Sequence, residues 1–275
     1  MTLRERTKKK VGYWCAIAVL VLIVVACVGY LLRYGWQLKQ NEETYENLRV
    51  TEVQEETEQV VAEEEIIYCE SLYDFDELRQ QNEDIYAWVT VPGTQVDYPI
   101  LQSATDNYYL NRNIDHSQGY PGCIYTNQCN AKEFSDYITV LYGHNMKNGT
   151  MFGSIHNFED KACFNEYDKI YVYTEEMRLT YEIYAAVKFT DVYIPSYYAV
   201  TMEQGRDGFI NELMQNSNND VSHIREGVEW LPEDKAIVLS TCVNGEGEKR
   251  YLLVGRLVEE AYYAVETEDA DGSEQ

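Results

Sequence analysis

Residues 237–257, I-V-L-S-T-C-V-N-G-E-G-E-K-R-Y-L-L-V-G-R-L, commit this part of the chain to a hairpin. Ile237, Val238 and Leu239 form one short run of β-branched and aliphatic residues, and residues 251–254 form another. Asn244, Gly245 and Gly247 between them tolerate φ > 0 at little cost, which is what a tight connection needs. A hairpin folds its two ends back beside each other, so Cys242 is brought next to Arg250 at the mouth of the loop. A thiol beside a fixed cation is the environment that favours a thiolate.

A second apolar strand, far upstream, supplies a proton carrier. Residues 138–148 read I-T-V-L-Y-G-H-N-M-K-N and deliver His144 into a Gly/Asn-rich loop. Cysteine and histidine converging from separate strands is the logic of an activated nucleophile. Each residue also has an ordinary reading: a buried strand-end thiol, a surface histidine, an exposed charge at a hairpin base. It is their joint occurrence that points to chemistry. Of the other histidines, His116 lies in a polar turn, and His156 and His223 fall in or near helical surface.

In chain order, residues 1–10 carry Arg4, Arg6, Lys8, Lys9 and Lys10 against Glu5. Residues 11–32 then run without a charge. About 20 apolar residues span a bilayer core, which predicts an uncleaved anchor. A cleaved signal peptide is the alternative, but its apolar core is only about 7–15 residues and ends at a small-residue site that is absent here. The preceding basic cluster places residues 1–10 in the cytoplasm and the bulk of the chain outside. Residues 33–70 are polar and acidic and read as a solvated stalk with room for a partial helix. With 47 acidic against 22 basic residues and a net charge of −25, the chain is a poor partner for nucleic acid or anionic headgroups.

Residues 71–260 read as one globular domain, and residues 261–275 as an acidic, disordered tail. Ser71 is a candidate cap for a helix whose Leu72, Phe75 and Leu78 recur at helical spacing. Short strands are predicted at 85–91, 96–100, 123–126 and 137–142, with a hairpin from 169–173 and 179–189. Helical turns are predicted at 105–113 and 151–158, and a helix at 202–216. Many short strands with few helices predict a mainly-β barrel or sandwich. Alternation puts Arg250, Leu252, Val254 and Arg256 on one face, expected to point inward with the Arg250 donors free for a substrate carbonyl, while Lys249 points to solvent. Cys15 and Cys27 fall in the apolar run. Cys69, Cys123, Cys129 and Cys163 allow three pairings, and unpaired buried thiols are the preferred expectation for a domain of this size. No cysteine or histidine spacing suits zinc, so neither metal nor other cofactor is expected.

The motifs resemble those of the sortase family. V-L-S-T-C followed by arginine eight residues later is similar to the family's TLxTC signature, with Val238 in place of the usual Thr. Y-G-H-N-M-K-N-G-T-M-F and the upstream D-N-Y-Y-L resemble its class B branch. The resemblance covers residues 72–258. It implies an eight-stranded β-barrel with an N-terminal helix and a helical insertion before the strand that ends in the nucleophile. It implies a membrane-anchored cysteine transpeptidase in which Cys242 attacks a Thr carbonyl in a C-terminal sorting signal of a secreted protein. His144 then protonates the leaving amine, Arg250 holds the oxyanion, and a peptidoglycan amine resolves the thioester. Carried over by position, Leu110, Tyr142, Tyr193, Ile194 and Ser240 would line the peptide groove. Val243 stands where the family often has an acidic or polar residue, which leaves local specificity open. Three other readings share parts of this pattern: a secreted thiol hydrolase using water, a pilin-polymerising sortase, and a non-catalytic adhesin with a Tyr-rich surface.

Overall fold

Short β-branched and aromatic runs punctuated by Gly, Asn and Asp give the chain its strands, and two compact units hold them and the one long helix. The computed structural model describes residues 3–48, 59–61 and 66–263. The first unit is a single helix, α1 (Leu3–Leu48). From Leu20 to Leu32 its apolar side chains are exposed, Leu22 at 68 % and Leu32 at 71 %. The helix is long and apolar enough to cross a membrane. It also continues through residues 33–48, expected as the start of a stalk. That segment carries no Pro, is rich in Glu, Gln and Leu, and pairs Lys39 with Glu43 one turn on at 3.7 Å.

The second unit contains β1 (Gln59–Val61), β2 (Ile66–Cys69), α2 (Phe75–Gln81), β3 (Ile85–Thr90), β4 (Asp97–Leu101), β5 (Ile124–Tyr125) and β6 (Ile138–Tyr142). It continues with α3 (Lys161–Glu166), β7 (Lys169–Tyr173), β8 (Met177–Thr190), α4 (Ile194–Tyr197), α5 (Glu203–Asn216), β9 (His223–Ile224), β10 (Ala236–Val243) and β11 (Glu246–Tyr263). Two 3-10 turns, Tyr108–Leu110 and Gly153–Glu159, fall where helical turns are expected. Eight strands close on themselves in the order β3-β4-β5-β6-β10-β11-β8-β7 and back to β3. Closure removes the free sheet edges, and at eight strands side chains fill the interior. The fold is therefore the mainly-β, eight-stranded barrel that the resemblance implies, with α4 and α5 inserted between β8 and β10.

Three details differ from expectation. The cap of α2 is Asp74, not Ser71: the Asp74 carboxylate accepts from the N–H groups of Asp76 at 2.9 Å and Glu77 at 3.0 Å. Ser71 lies too far upstream, and its hydroxyl donates to the Tyr73 carbonyl instead. Secondly, the sheet extends past both ends of residues 71–260. β2 pairs in parallel with residues 261–263 of β11, and Cys69 is buried there with its thiol 3.6 Å from the Ala261 carbonyl. The remainder of the stalk and of the acidic tail lies outside the described residues. Thirdly, Cys129 is exposed and Cys163 only partly buried, while Cys69 and Cys123 are buried.

The helical insertion fixes which face of the hairpin is covered. Phe209, Ile210 and Leu213 recur at helical spacing on α5 and pack in one cluster with Val238 of β10 and Leu252 and Val254 of β11. A helix can lie only on the outer face of an eight-stranded barrel. Alternate residues of β10 and β11 thus point outward beneath α5. The same face, followed one turn of alternation toward the loop, carries Ser240, Cys242 and Arg250.

Candidate active site

The loop between β10 and β11 turns at Gly245, whose φ of 76° is readily adopted by glycine. Cys242 stands directly opposite Arg250 across this hairpin, and the ladder slips by a bulge between Cys242 and Val243. A bulge bends its strand and re-aims the side chains beside it. Cys242 is exposed at the end of an otherwise buried strand, in the sense that Ala236 to Thr241 are all buried.

β6 runs parallel to β10, Tyr142 opposite Ser240, and ends just before His144. The His144 loop is then stitched to β10. Gly143 N–H donates to the Ser240 carbonyl at 3.2 Å, Thr241 Oγ1 donates to the Gly143 carbonyl at 2.8 Å, and Asn145 Nδ2 donates to the Cys242 carbonyl at 2.8 Å. Gly143 has no room for a side chain: a Cβ would lie 2.5 Å from Ile124 and 2.7 Å from Phe152. These contacts bracket His144 on both sides and set its register against Cys242.

One cleft of about 230 Å³ gathers the candidates. His144, Cys242 and Arg250 line it together with Leu110, Tyr142, Tyr193, Ile194 and Ser240. Asn107, Tyr125 and Asp191 line it too and were not singled out from the sequence. Tyr125, Tyr142 and Tyr193 form an aromatic wall, with ring centroids 5.5 Å and 6.5 Å apart in succession. The buried Tyr142 hydroxyl has no hydrogen-bond partner among the described residues, and burial pushes its phenol up. Burial likewise pushes Tyr193 up to about 12, although its oxygen accepts from Asn127 Nδ2 at 2.9 Å.

His144 Nε2 lies 2.7 Å from the Leu110 carbonyl, so in the neutral ring Nε2 carries the proton and Nδ1 keeps a lone pair. Its ring rests against Tyr120, 4.7 Å between centroids. Burial lowers the His144 pKa below 6.5, while the bond to Leu110 works in the opposite direction. The unfolded chain then binds the proton more readily than the folded one between the folded pKa and 6.5. His144 therefore contributes stability that is fully present above 6.5 and lost as pH falls through the folded pKa. A histidine-resolved NMR titration should place His144 below 6.5, and a midpoint at or above 6.5 would contradict this environment.

Arg250 departs from expectation in two respects. The row Arg250, Leu252 and Val254 faces outward under α5, not into the barrel, because the insertion covers that face. Nη1 is already committed, donating to the Gly247 carbonyl at 3.1 Å and the Lys249 carbonyl at 2.9 Å. No acid among the described residues pairs with Arg250. Arg256, by contrast, lies near Asp234 at 3.4 Å and Glu182 at 3.7 Å.

His156 and Glu159 were also missed. His156, expected on helical surface, has its Nδ1 2.6 Å from Glu159 and its Nε2 3.1 Å from the Cys242 carbonyl. The signal in sequence was only a His-x-x-Glu spacing, too common to select. His223 is partly buried and donates to the Glu159 carbonyl at 2.9 Å, away from the cleft lining.

A thiol, an imidazole and a guanidinium lining one cleft on a closed β-barrel are the parts of an acyl-transfer enzyme that works through a thioester. A family model for the sortase domain matches residues 89–258, and the chain belongs to the sortase family of cysteine transpeptidases. It is most similar to class B members. Sortase B of Listeria monocytogenes is 28 % identical over 241 residues, covering 86 % of this chain and 95 % of that protein. Sortase B of Staphylococcus aureus is 26 % identical over 188 residues, covering 67 % and 74 %. The X-ray structure of Clostridium perfringens sortase B aligns at a TM-score of 0.61 with 25 % identity, covering 68 % of this chain and all of that one.

Proposed function

We propose that this sortase is held in the cell membrane by α1 and joins secreted proteins to a cell-wall amine through a thioester on Cys242. The observation that carries the reading is the single cleft shared by Cys242, His144 and Arg250. Cys242 Sγ attacks the carbonyl of a Thr in a C-terminal sorting signal, and the C–N bond after that Thr breaks. His144 gives a proton to the departing amine. It then takes one from the incoming peptidoglycan amine, which displaces the thiolate. Because burial disfavours its imidazolium, the acid form of His144 is a minor species at pH 7. Arg250 stabilises the tetrahedral oxyanion. Leu110, Tyr142, Tyr193, Ile194 and Ser240 hold the peptide, with the unpartnered Tyr142 hydroxyl offered to its backbone.

Incubating the enzyme with peptides carrying Pro at the second and Thr at the fourth place of the signal, with and without an added amine, tests the reading. Ligation that outpaces hydrolysis is expected. Hydrolysis unaffected by amine would favour a thiol hydrolase.

The orientation rests on the basic residues 4–10 before the apolar run, which hold the N-terminus in the cytoplasm. Protease added to intact protoplasts should therefore digest the domain that follows α1. Full protection of that domain would reverse the topology.

A further inference from the structure

Outside the cleft lining, two polar side chains converge on the Cys242 carbonyl and a third backs them. Asn145 Nδ2 is 2.8 Å from the Cys242 carbonyl oxygen and 3.0 Å from His156 Nε2. His156 Nε2 is itself 3.1 Å from that oxygen, and His156 Nδ1 is 2.6 Å from Glu159 Oε1. The His156 ring stacks on Tyr251 of β11 with centroids 4.8 Å apart and planes at 23°. Neither Asn145, His156 nor Glu159 lines the cleft.

The proton inventory assigns these contacts. Glu159 accepts from Nδ1–H, and in the neutral ring Nε2 then keeps a lone pair, so its 3.1 Å approach to the Cys242 oxygen is a contact without a hydrogen bond. Asn145 has two amide hydrogens and two acceptors within reach. One hydrogen goes to the Cys242 carbonyl and the other to His156 Nε2. The chain runs Glu159 to His156 to Asn145 to Cys242, and each bond polarises the next. With no acceptor at Nε2, the Asn145 amide would be held only by its single bond to the Cys242 carbonyl.

We propose that His156 and Glu159 are positioning residues: they lock the Asn145 amide so that it pins the peptide carrying Cys242 to the loop carrying His144. The irregularity at Cys242 and Val243 is what makes a pin necessary, because the ladder shifts register there, from Arg250 opposite Cys242 to Glu246 opposite Val243, and β6 has already ended at Tyr142. Asn145 follows His144 directly, so one side chain sets the distance between nucleophile and proton carrier. Misplacing reacting groups by about 1 Å can cost on the order of 100-fold in rate. The proposal rests on Cys242 being the nucleophile.

The test compares His156→Ala, His156→Gln and Asn145→Ala in the full chain, measuring kcat, KM for a sorting peptide, the rate of thioester formation on Cys242, and the melting temperature. His156→Ala is expected to lower kcat and the thioester rate roughly tenfold at unchanged KM, since the cleft lining is untouched. Gln places an oxygen near the position of Nε2 and should restore kcat to within about threefold, as a good acceptor for Asn145. Adding His156→Ala to Asn145→Ala should change little further, since both break one chain. A His156→Ala enzyme with kcat within about twofold of the parent overturns the proposal. So does a His156→Gln enzyme as slow as His156→Ala at the same melting temperature, or a loss in the double variant that is the product of the single ones. Thioester formation on a different cysteine in the parent enzyme would instead remove the underlying assignment of Cys242.

Discussion

Arg250→Lys is expected to remove most turnover while the domain stays folded. Arg250 stands opposite Cys242 on β11 and lines the same cleft. Its Nη1 is tied to the carbonyls of Gly247 and Lys249, which anchors one edge of the guanidinium to the hairpin. The Nε–H and Nη2 groups have no protein partner among the described residues and are available to a substrate carbonyl or an oxyanion. A planar fork can be anchored at one edge and donate from the other at once. A lysine ammonium is a single point with three donors on a flexible stem and cannot do both in a fixed geometry. Losing one preorganised donor to an oxyanion costs about 2.7–4 kcal/mol, or ~100–1000-fold in rate. Lys249→Ala should lose little, because only the Lys249 backbone carbonyl is used in the anchor. Steady-state kinetics on both variants, with melting curves as the control for folding, decide the matter. Near-full activity in Arg250→Lys would reduce the role to charge alone, and a crippled Lys249→Ala would reverse the assignment of the two neighbours.

The barrel was legible because its strands announce themselves. Residues 169–173 and 179–189 carry β-branched and aromatic residues between turn signals and form the expected hairpin of β7 and β8. The spacing of Phe209, Ile210 and Leu213 gave α5, since a helix of that length buries one stripe. Less was legible where the cause is non-local. β2 joins β11 across 192 residues of sequence, and nothing in I-I-Y-C distinguishes a sheet strand from an apolar patch in a stalk. Which face of β11 is outward depends on where α5 lies, so alternation alone put Arg250 on the inner face. Arg256 follows the same alternation, but its side chain lies near acids from β8 and from the segment ahead of β10.

The candidate site divides in the same way. Cys242 and Arg250 are eight residues apart, and the hairpin between them makes their meeting a local event. His144 meets them only through the parallel pairing of β6 with β10, which no local pattern encodes; the motif resemblance carried that step. Asn107 and Tyr125 reach the cleft by different routes: a turn with Asn107 at φ 58°, and the two-residue strand β5. Neither has a sequence signature. The Asn145, His156 and Glu159 chain is hidden because three ordinary polar residues acquire meaning only around the Cys242 carbonyl.

Cys242→Ala is expected to have the largest effect, abolishing turnover altogether. The thiol is the sole group in the cleft lining that can form a thioester, and alanine leaves neither nucleophile nor leaving group. His144→Ala should fall nearly as far, while His116→Ala and His223→Ala should keep most activity, because neither residue lines the cleft. The most direct measurement is intact-protein mass spectrometry on the enzyme with a sorting peptide and no amine, followed by peptide mapping. The account predicts one acyl adduct per chain, carried by Cys242, released on adding amine and absent from Cys242→Ala. An adduct on Cys69, Cys123, Cys129 or Cys163, or undiminished peptide cleavage by Cys242→Ala, would contradict it.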